Sequence, residues 1–152
     1  MRKKVYIISF IFFIIDLLSK VLVLSIKEYP ITIIKDFIYI NKTFNTGAAF
    51  SIFTGNNFVF IIIAIAVLIY IDRKVICDIK NKISVISISM LIGGIIGNLF
   101  DRIAYGKVID FLSFKFGLYN FPVFNLADTF ICIGIFLLII EFLRGDFNGN
   151  KS

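Results

Sequence analysis

The sequence contains ten carboxylates and no histidine, so hydrolytic chemistry here must rest on carboxylates, lysine, hydroxyls or backbone groups. Without histidine there can be no Ser-His-Asp or Cys-His machinery and no His-ligated zinc site. Two aspartates stand out. Asp110 sits in KVIDF, flanked by apolar residues, and Asp128 in FNLADTF at the mouth of the last apolar run. Two carboxylates brought together can hydrolyse an amide unaided, because like charges at close range retain one shared proton. The ionised partner takes a proton from the attacking water, and the protonated one hydrogen-bonds the carbonyl oxygen as charge develops there. Taken singly, Asp128 also reads as a helix N-cap, accepting backbone N–H bonds. Spacing permits the two aspartates to meet but does not require it.

Other polar residues stand where apolar ones are expected. Asp16 and Lys20 are one helical turn apart in the first apolar run and are read as a pair that orients helices. In GGIIGNLFDR, Gly93 and Gly97 form a small-xxx-small pair that lets a second helix backbone approach closely. Asn98, Asp101 and Arg102 follow on neighbouring turns of one face; they form either a local Asp–Arg pair at a helix end or a polar cluster aimed at a shared site. Cys77 lies in a short basic loop and Cys132 in an apolar run, so no disulfide is expected and Cys132 reads as a small buried apolar residue.

The elements that must position these groups are membrane helices. Residues are 59% hydrophobic and only 17% charged, more apolar surface than a soluble fold of this size can hide. Four spans are expected, at about 5–26, 56–74, 83–102 and 128–143, each near the roughly 20 residues that a helix needs to cross a bilayer. Asp16, Lys20 and the following SIKEYP argue that the first is a span rather than a cleavable leader. The basic residues (Arg2, Lys3 and Lys4, then Arg73, Lys74, Lys80 and Lys82) gather at the ends of spans, a topology signal rather than a nucleic-acid surface. Both termini are therefore expected in the cytoplasm and the two long connections, 27–57 and 101–127, outside. In the first of these, ITIIKDFIYINKTF has the β-branched and aromatic character of one or two strands. The second, with FLSFKFGLYNFPVF, reads as an aromatic ledge at the outer leaflet. The final GDFNGNKS reads as loose.

Five motifs in order, DLLSK (16–20), NTGAAF (45–50), GGIIGNLFDR (93–102), GKVIDF (106–111) and FPVFNLAD (121–128), resemble the bacterial lipoprotein signal peptidases, the type II signal peptidases. The resemblance spans nearly the whole chain and departs only mildly, as at Ile109 where valine is common. It implies one integral-membrane domain over residues 1–152: an all-α polytopic protein of four transmembrane helices with a small extracytoplasmic β-cradle and a short interfacial helix. It further implies an aspartic endopeptidase, without cofactor or metal, that cuts a prolipoprotein before a diacylglyceryl-modified cysteine. Carried over by motif, Asp110 and Asp128 are the catalytic pair. Asn45, Gly47, Asn98, Asp101, Arg102, Asn125 and Ala127 line or support the site, and Asp16 and Lys20 are structural. The implied partners are lipidated prolipoproteins and membrane lipids, met by a monomer in the bacterial inner membrane. A small ion-coupled transporter and a scaffold without chemistry are the rival readings, but neither gives a reason for these motifs to occur together.

Overall fold

The structure, a computed structural model, describes residues 1–47, 56–79 and 81–144. Residues 48–50 of NTGAAF and the tail from 145 lie outside it. Its polarity is inside out. Ser9, Asp16, Lys20, Ser84, Ser87, Ser89, Asp101, Asp110, Asn125 and Glu141 are all buried, while Ile7, Phe10, Leu22, Phe136 and Phe142 are exposed. Water would favour the reverse, so lipid must cover the outer faces.

Helix α1 (Arg2–Ser25), α3 (Lys82–Tyr105) and α4 (Leu126–Leu143) are each long and apolar enough to cross a membrane. Helix α3 is the most buried of them and lies between the other two. Its small residues set the spacing. A Cβ on Gly93 would lie 2.6 Å from Phe12 Cβ on α1, one on Gly94 would lie 2.5 Å from the Ala127 carbonyl on α4, and one on Gly97 would collide with Asp16. Gly134 of α4 returns the contact: a Cβ there would lie 2.7 Å from the Ser87 carbonyl. With apolar surface available to lipid everywhere, this close backbone approach is what makes helix–helix contact preferable.

Helix α2 (Asn57–Tyr70) is shorter than the span expected at about 56–74. Beyond Tyr70 the chain continues as a π-helical turn, Ile71–Val75, and a 3-10 turn, Ile76–Asp78. The change of pitch falls where Asp72 is held from α1, by Arg2 Nη2 at 2.6 Å and by the Tyr6 hydroxyl. Ile71, Ile76 and Ile79 are thereby turned into the core beside Val5, Val85 and Ile88.

The connections fold into one antiparallel sheet in the order β1 (Ile31–Ile34), β2 (Ile38–Asn45), β3 (Val108–Phe116), β4 (Tyr119–Asn120). The strands expected within 31–44 are β1 and β2. The stretch read as an aromatic ledge is instead the far end of β3 with β4, joined at Gly117, where φ is +61° and glycine suits the tight hairpin. Its rings pack on one another, Phe114 stacking on Phe124 and meeting Phe37 edge-on. The register between β2 and β3 shifts once. Ile40 faces Leu112, but Thr43 faces Asp110 and Asn45 faces Val108, so β2 carries one extra residue between. No interfacial helix accompanies the sheet among the described residues.

Candidate active site

The sequence NLAD begins α4 with a capping box. Asn125 is the N-cap, its Oδ1 accepting from Asp128 N at 2.8 Å, while Asp128 Oδ2 accepts from Asn125 N at 3.2 Å. Asp128 is therefore not the N-cap considered from sequence but the third residue of the helix, which closes the box. That role ties up one of its oxygens and leaves the other, Oδ1, turned toward α3.

The cap also decides which way the Asn125 amide points. With Oδ1 committed to Asp128 N, its Nδ2 must face the other way, where it donates to Asp110 Oδ1 at 2.7 Å and to Asn98 Oδ1 at 3.0 Å, with Ile109 O at 3.3 Å. Asn98 Nδ2 in turn donates to Asp128 Oδ1 at 2.7 Å. A chain of two amides thus joins the carboxylate on β3 to the carboxylate on α4.

Asp110 is held from the sheet side as well. Asn45 at the end of β2 donates from Nδ2 to Asp110 Oδ2 at 3.0 Å, while its own Oδ1 accepts from Gly47 N at 2.9 Å. Burial pushes the Asp110 carboxyl up to about 6; the Asn45 bond pulls it back, and the charge of Asp128 works in the same direction as burial. Asp101, buried on α3, accepts from Ile109 N at 3.1 Å and so fixes the backbone one residue before Asp110.

Arg102 does not pair with Asp101. Its Nη2 donates to the Gly47 carbonyl at 3.0 Å and its guanidinium lies over the Phe60 ring, 5.0 Å from the centroid. Asn57 at the start of α2 donates to the Arg102 carbonyl at 3.0 Å. Neither Asn57 nor Phe60 was singled out as a site residue from sequence; the two adjacent amides, Asn56 and Asn57, at the mouth of an apolar run were the available signal.

Asp16 and Lys20 pair at 2.7 Å, but each also reaches further. Asp16 Oδ1 accepts from Ala127 N at 2.9 Å, next to the α4 cap, and Ala127 is fully buried against Gly97. Lys20 Nζ lies 2.9 Å from Asp101 Oδ2 and donates to Asn98 Oδ1 at 3.2 Å. These long-range contacts were invisible in sequence, where only the one-turn spacing could be read.

Both carboxylates border one cavity of about 750 Å³, together with Asn45, Gly47, Asn98 and Arg102. Its other wall is largely apolar, from Phe121 through Phe124 and along α4 from Thr129 to Ile133. Cys132 is on that wall and exposed, not buried as its apolar surroundings in sequence led us to expect, because its face of α4 borders the cavity. A polar floor carrying two acids beneath apolar walls can hold an extended peptide while an attached hydrocarbon stays out of water.

The chain is similar to known proteins over most of its length. A family model described as signal peptidase (SPase) II matches residues 8–144. The lipoprotein signal peptidase of Bacillus pumilus (strain SAFR-032) is 36% identical over 145 residues, covering 91% of each chain. That of Neisseria meningitidis serogroup C (strain 053442) is 31% identical over 157 residues, covering 99% of this chain and 96% of the other. Two solved structures, each described as a bacterial membrane enzyme obtained by the in meso method, at 2.3 Å and 1.9 Å resolution, are similar in fold. Their TM-scores are 0.86 and 0.82 at 32% and 33% sequence identity, covering 97% and 92% of this chain. The match runs through all three long helices, the sheet and the cap that carries Asp128, and on that extent the chain belongs to the signal peptidase II family, the lipoprotein signal peptidases.

Proposed function

We propose that this chain is an aspartic endopeptidase whose catalytic pair is Asp110 and Asp128, acting on diacylglyceryl-modified prolipoproteins just before the lipidated cysteine. Family membership gives the coarser statement directly: an integral-membrane peptidase that removes signal peptides from prolipoproteins. The observation that carries the finer one is the amide chain Asp110–Asn125–Asn98–Asp128, which holds two carboxylates on the floor of one cavity.

The pair shares a proton and titrates as a unit. Its ionised member accepts a proton from water as the oxygen adds to the scissile carbonyl. The protonated member hydrogen-bonds the carbonyl oxygen, where negative charge builds. Collapse of the tetrahedral adduct breaks the C–N bond, and a proton from the pair goes to the leaving amine. The products are a new carboxyl terminus on the signal peptide and a free amino group on the lipidated cysteine. Asn45, Asn98 and Asn125 orient the acids, while Asp101 and Arg102 hold β3 and the segment at Gly47 beside them. The apolar wall beside Thr129–Ile133 takes the acyl chains.

In this reading the single domain spans the bacterial inner membrane four times, with α2 and its following turns as the fourth crossing. Both termini are cytoplasmic, the sheet lies at the outer face, and the monomer suffices. The deciding experiment replaces Asp110 and Asp128 separately by asparagine and follows a lipidated prolipoprotein in membranes. Each change should abolish processing, by about 10³-fold or more, while the protein still inserts. Normal processing by either variant would falsify the pair, and inhibition by chelators would point to a metal instead.

A further inference from the structure

Lys20 has one contact more than an anchoring ion pair needs. Its ammonium carries three N–H donors, and three acceptors surround it: Asp16 Oδ2 at 2.7 Å, Asp101 Oδ2 at 2.9 Å and Asn98 Oδ1 at 3.2 Å. The side chain is only 1% exposed. Two carboxylates would neutralise it; the third acceptor is the amide that contacts Asp128. We propose that Lys20 is a positioning residue for peptide hydrolysis, fixing the Asn98 amide so that its Nδ2 stays on Asp128. The inference rests on the assignment of Asp110 and Asp128 as the catalytic pair.

The Asn98 amide can sit in two ways, related by a half turn. In the observed one, Oδ1 accepts from Lys20 and from Asn125 Nδ2, and Nδ2 donates to Asp128 Oδ1. Turned over, its NH2 would face an ammonium and another NH2, and its carbonyl oxygen would face a carboxylate. Every one of those contacts is repulsive or unsatisfied, in a site where leaving a buried donor without an acceptor is costly. Asn125 alone is a poor guardian of this choice. Its two N–H groups are divided among Asp110 Oδ1, Asn98 Oδ1 and the Ile109 carbonyl, so it can release Asn98 and remain satisfied. Lys20 has no such alternative, because its hydrogen bond goes to Asn98 Oδ1 while the two carboxylates meet it as ion pairs.

Its charge acts in the same place. The charged groups that face this network are Asp16 and Lys20 from α1, Asp101 and Arg102 from α3, Asp110 from β3 and Asp128 from α4. Four carboxylates are set against two cations. Without Lys20 only Arg102 remains, and the catalytic pair should keep its shared proton to higher pH.

The test compares Lys20→Met with the double variant Lys20→Met/Asp101→Asn, both as full-length protein in membranes, with a lipidated prolipoprotein as substrate. KM and the shape of the pH profile do not depend on how much enzyme is active, so both can be read from a partly folded preparation. In Lys20→Met, turnover should fall about 10²-fold with KM changed less than about threefold, and the alkaline limb should move up by about one pH unit. The double variant removes one charge of each sign. Its turnover should stay low while the limb returns toward that of the unaltered protein, because the Asn98 amide is still unguarded. A Lys20→Met enzyme with unaltered KM and pH profile, merely less abundant, would overturn the proposal, as would full turnover in the double variant. Loss of the unfolding transition in both variants would also overturn it, in favour of an ion pair that serves the fold alone. Running Asp110→Asn and Asp128→Asn in the same assay separates the two readings: processing by either removes the catalytic pair itself, whatever Lys20 does.

Discussion

Asn125 serves both the fold and the two acids. It caps α4 through Oδ1 and orients Asp110 and Asn98 through Nδ2. Asn125→Ala should therefore cost about 1 kcal/mol of stability, as a lost cap does. Turnover should fall by a far larger factor than so small a stability change explains; the two effects are read by thermal melting and by processing of a lipidated substrate. Asp110 gives the pH dependence. Burial favours its neutral form, so its contribution to stability is fully present below the ordinary value of about 3.9 and is lost as pH rises through about 6. Melting curves of Asp110→Asn should be flatter across that window than those of the unaltered protein, and equal slopes would contradict the assignment. By the same logic the alkaline limb of kcat/KM should have an apparent value of about 6 or higher, since the free pair must keep one proton. Activity independent of pH from about 5 to 9 would exclude a shared proton. The two aspartates were legible in the sequence because an acid beside apolar residues at a membrane edge needs a reason. The partners of Lys20 were not: Asp16 is its neighbour in sequence, but Asn98 and Asp101 become neighbours only after α1 docks on α3.

At the scale of elements, glycines on α3 set how closely the helices that carry the site can approach. Gly97→Ala would drive a Cβ into Asp16 and to 3.3 Å from Ala127 Cβ, where the lysine network and the α4 cap meet. It should destabilise the protein by about 1–3 kcal/mol, as overpacking does, and reduce processing. Gly106 is the useful contrast. It ends α3 at φ +71° with nothing within 4 Å of an added Cβ, so Gly106→Ala should cost only about 1 kcal/mol of backbone strain and leave turnover intact. Wild-type melting and activity in Gly97→Ala would show that α3 can move away from α1 without harm. The long helices could be read from their hydropathy, and β1 and β2 from their β-branched residues. Strand β3 could not, because Val108, Ile109, Asp110 and Phe111 are all buried and the strand lacks the alternation that marks a half-exposed one. Its far end, crowded with aromatics, looked like a membrane anchor.

For the molecule as a whole, burial of polar side chains and exposure of apolar ones describes a protein whose solvent is lipid at its sides and water at its ends. The proposed orientation is checked by fusing a reporter after Leu143, which should be active only in the cytoplasm; a signal from outside would reverse the topology. Hydropathy and the distribution of lysine and arginine were enough to expect this orientation. The tie of the first helix to the π turn after α2, through Asp72, was not, since it depends on residues 66 and 70 positions apart. The extra residue in β2 has a consequence for how the gene can vary. Beyond the bulge Asp110 lies opposite Thr43, on the face where Asn45 can reach it, and removing the extra residue would leave an unbroken ladder with that pairing kept. Losing a single codon at position 41 or 42 should therefore be tolerated, whereas losing position 44 would slide Asn45 to face Ile109 and turn its amide away from the buried acid. Insertions and deletions in this connection should be tolerated on the β1 side of the bulge and rejected on the other, so one residue of spacing marks where the outer loop stops being free to drift.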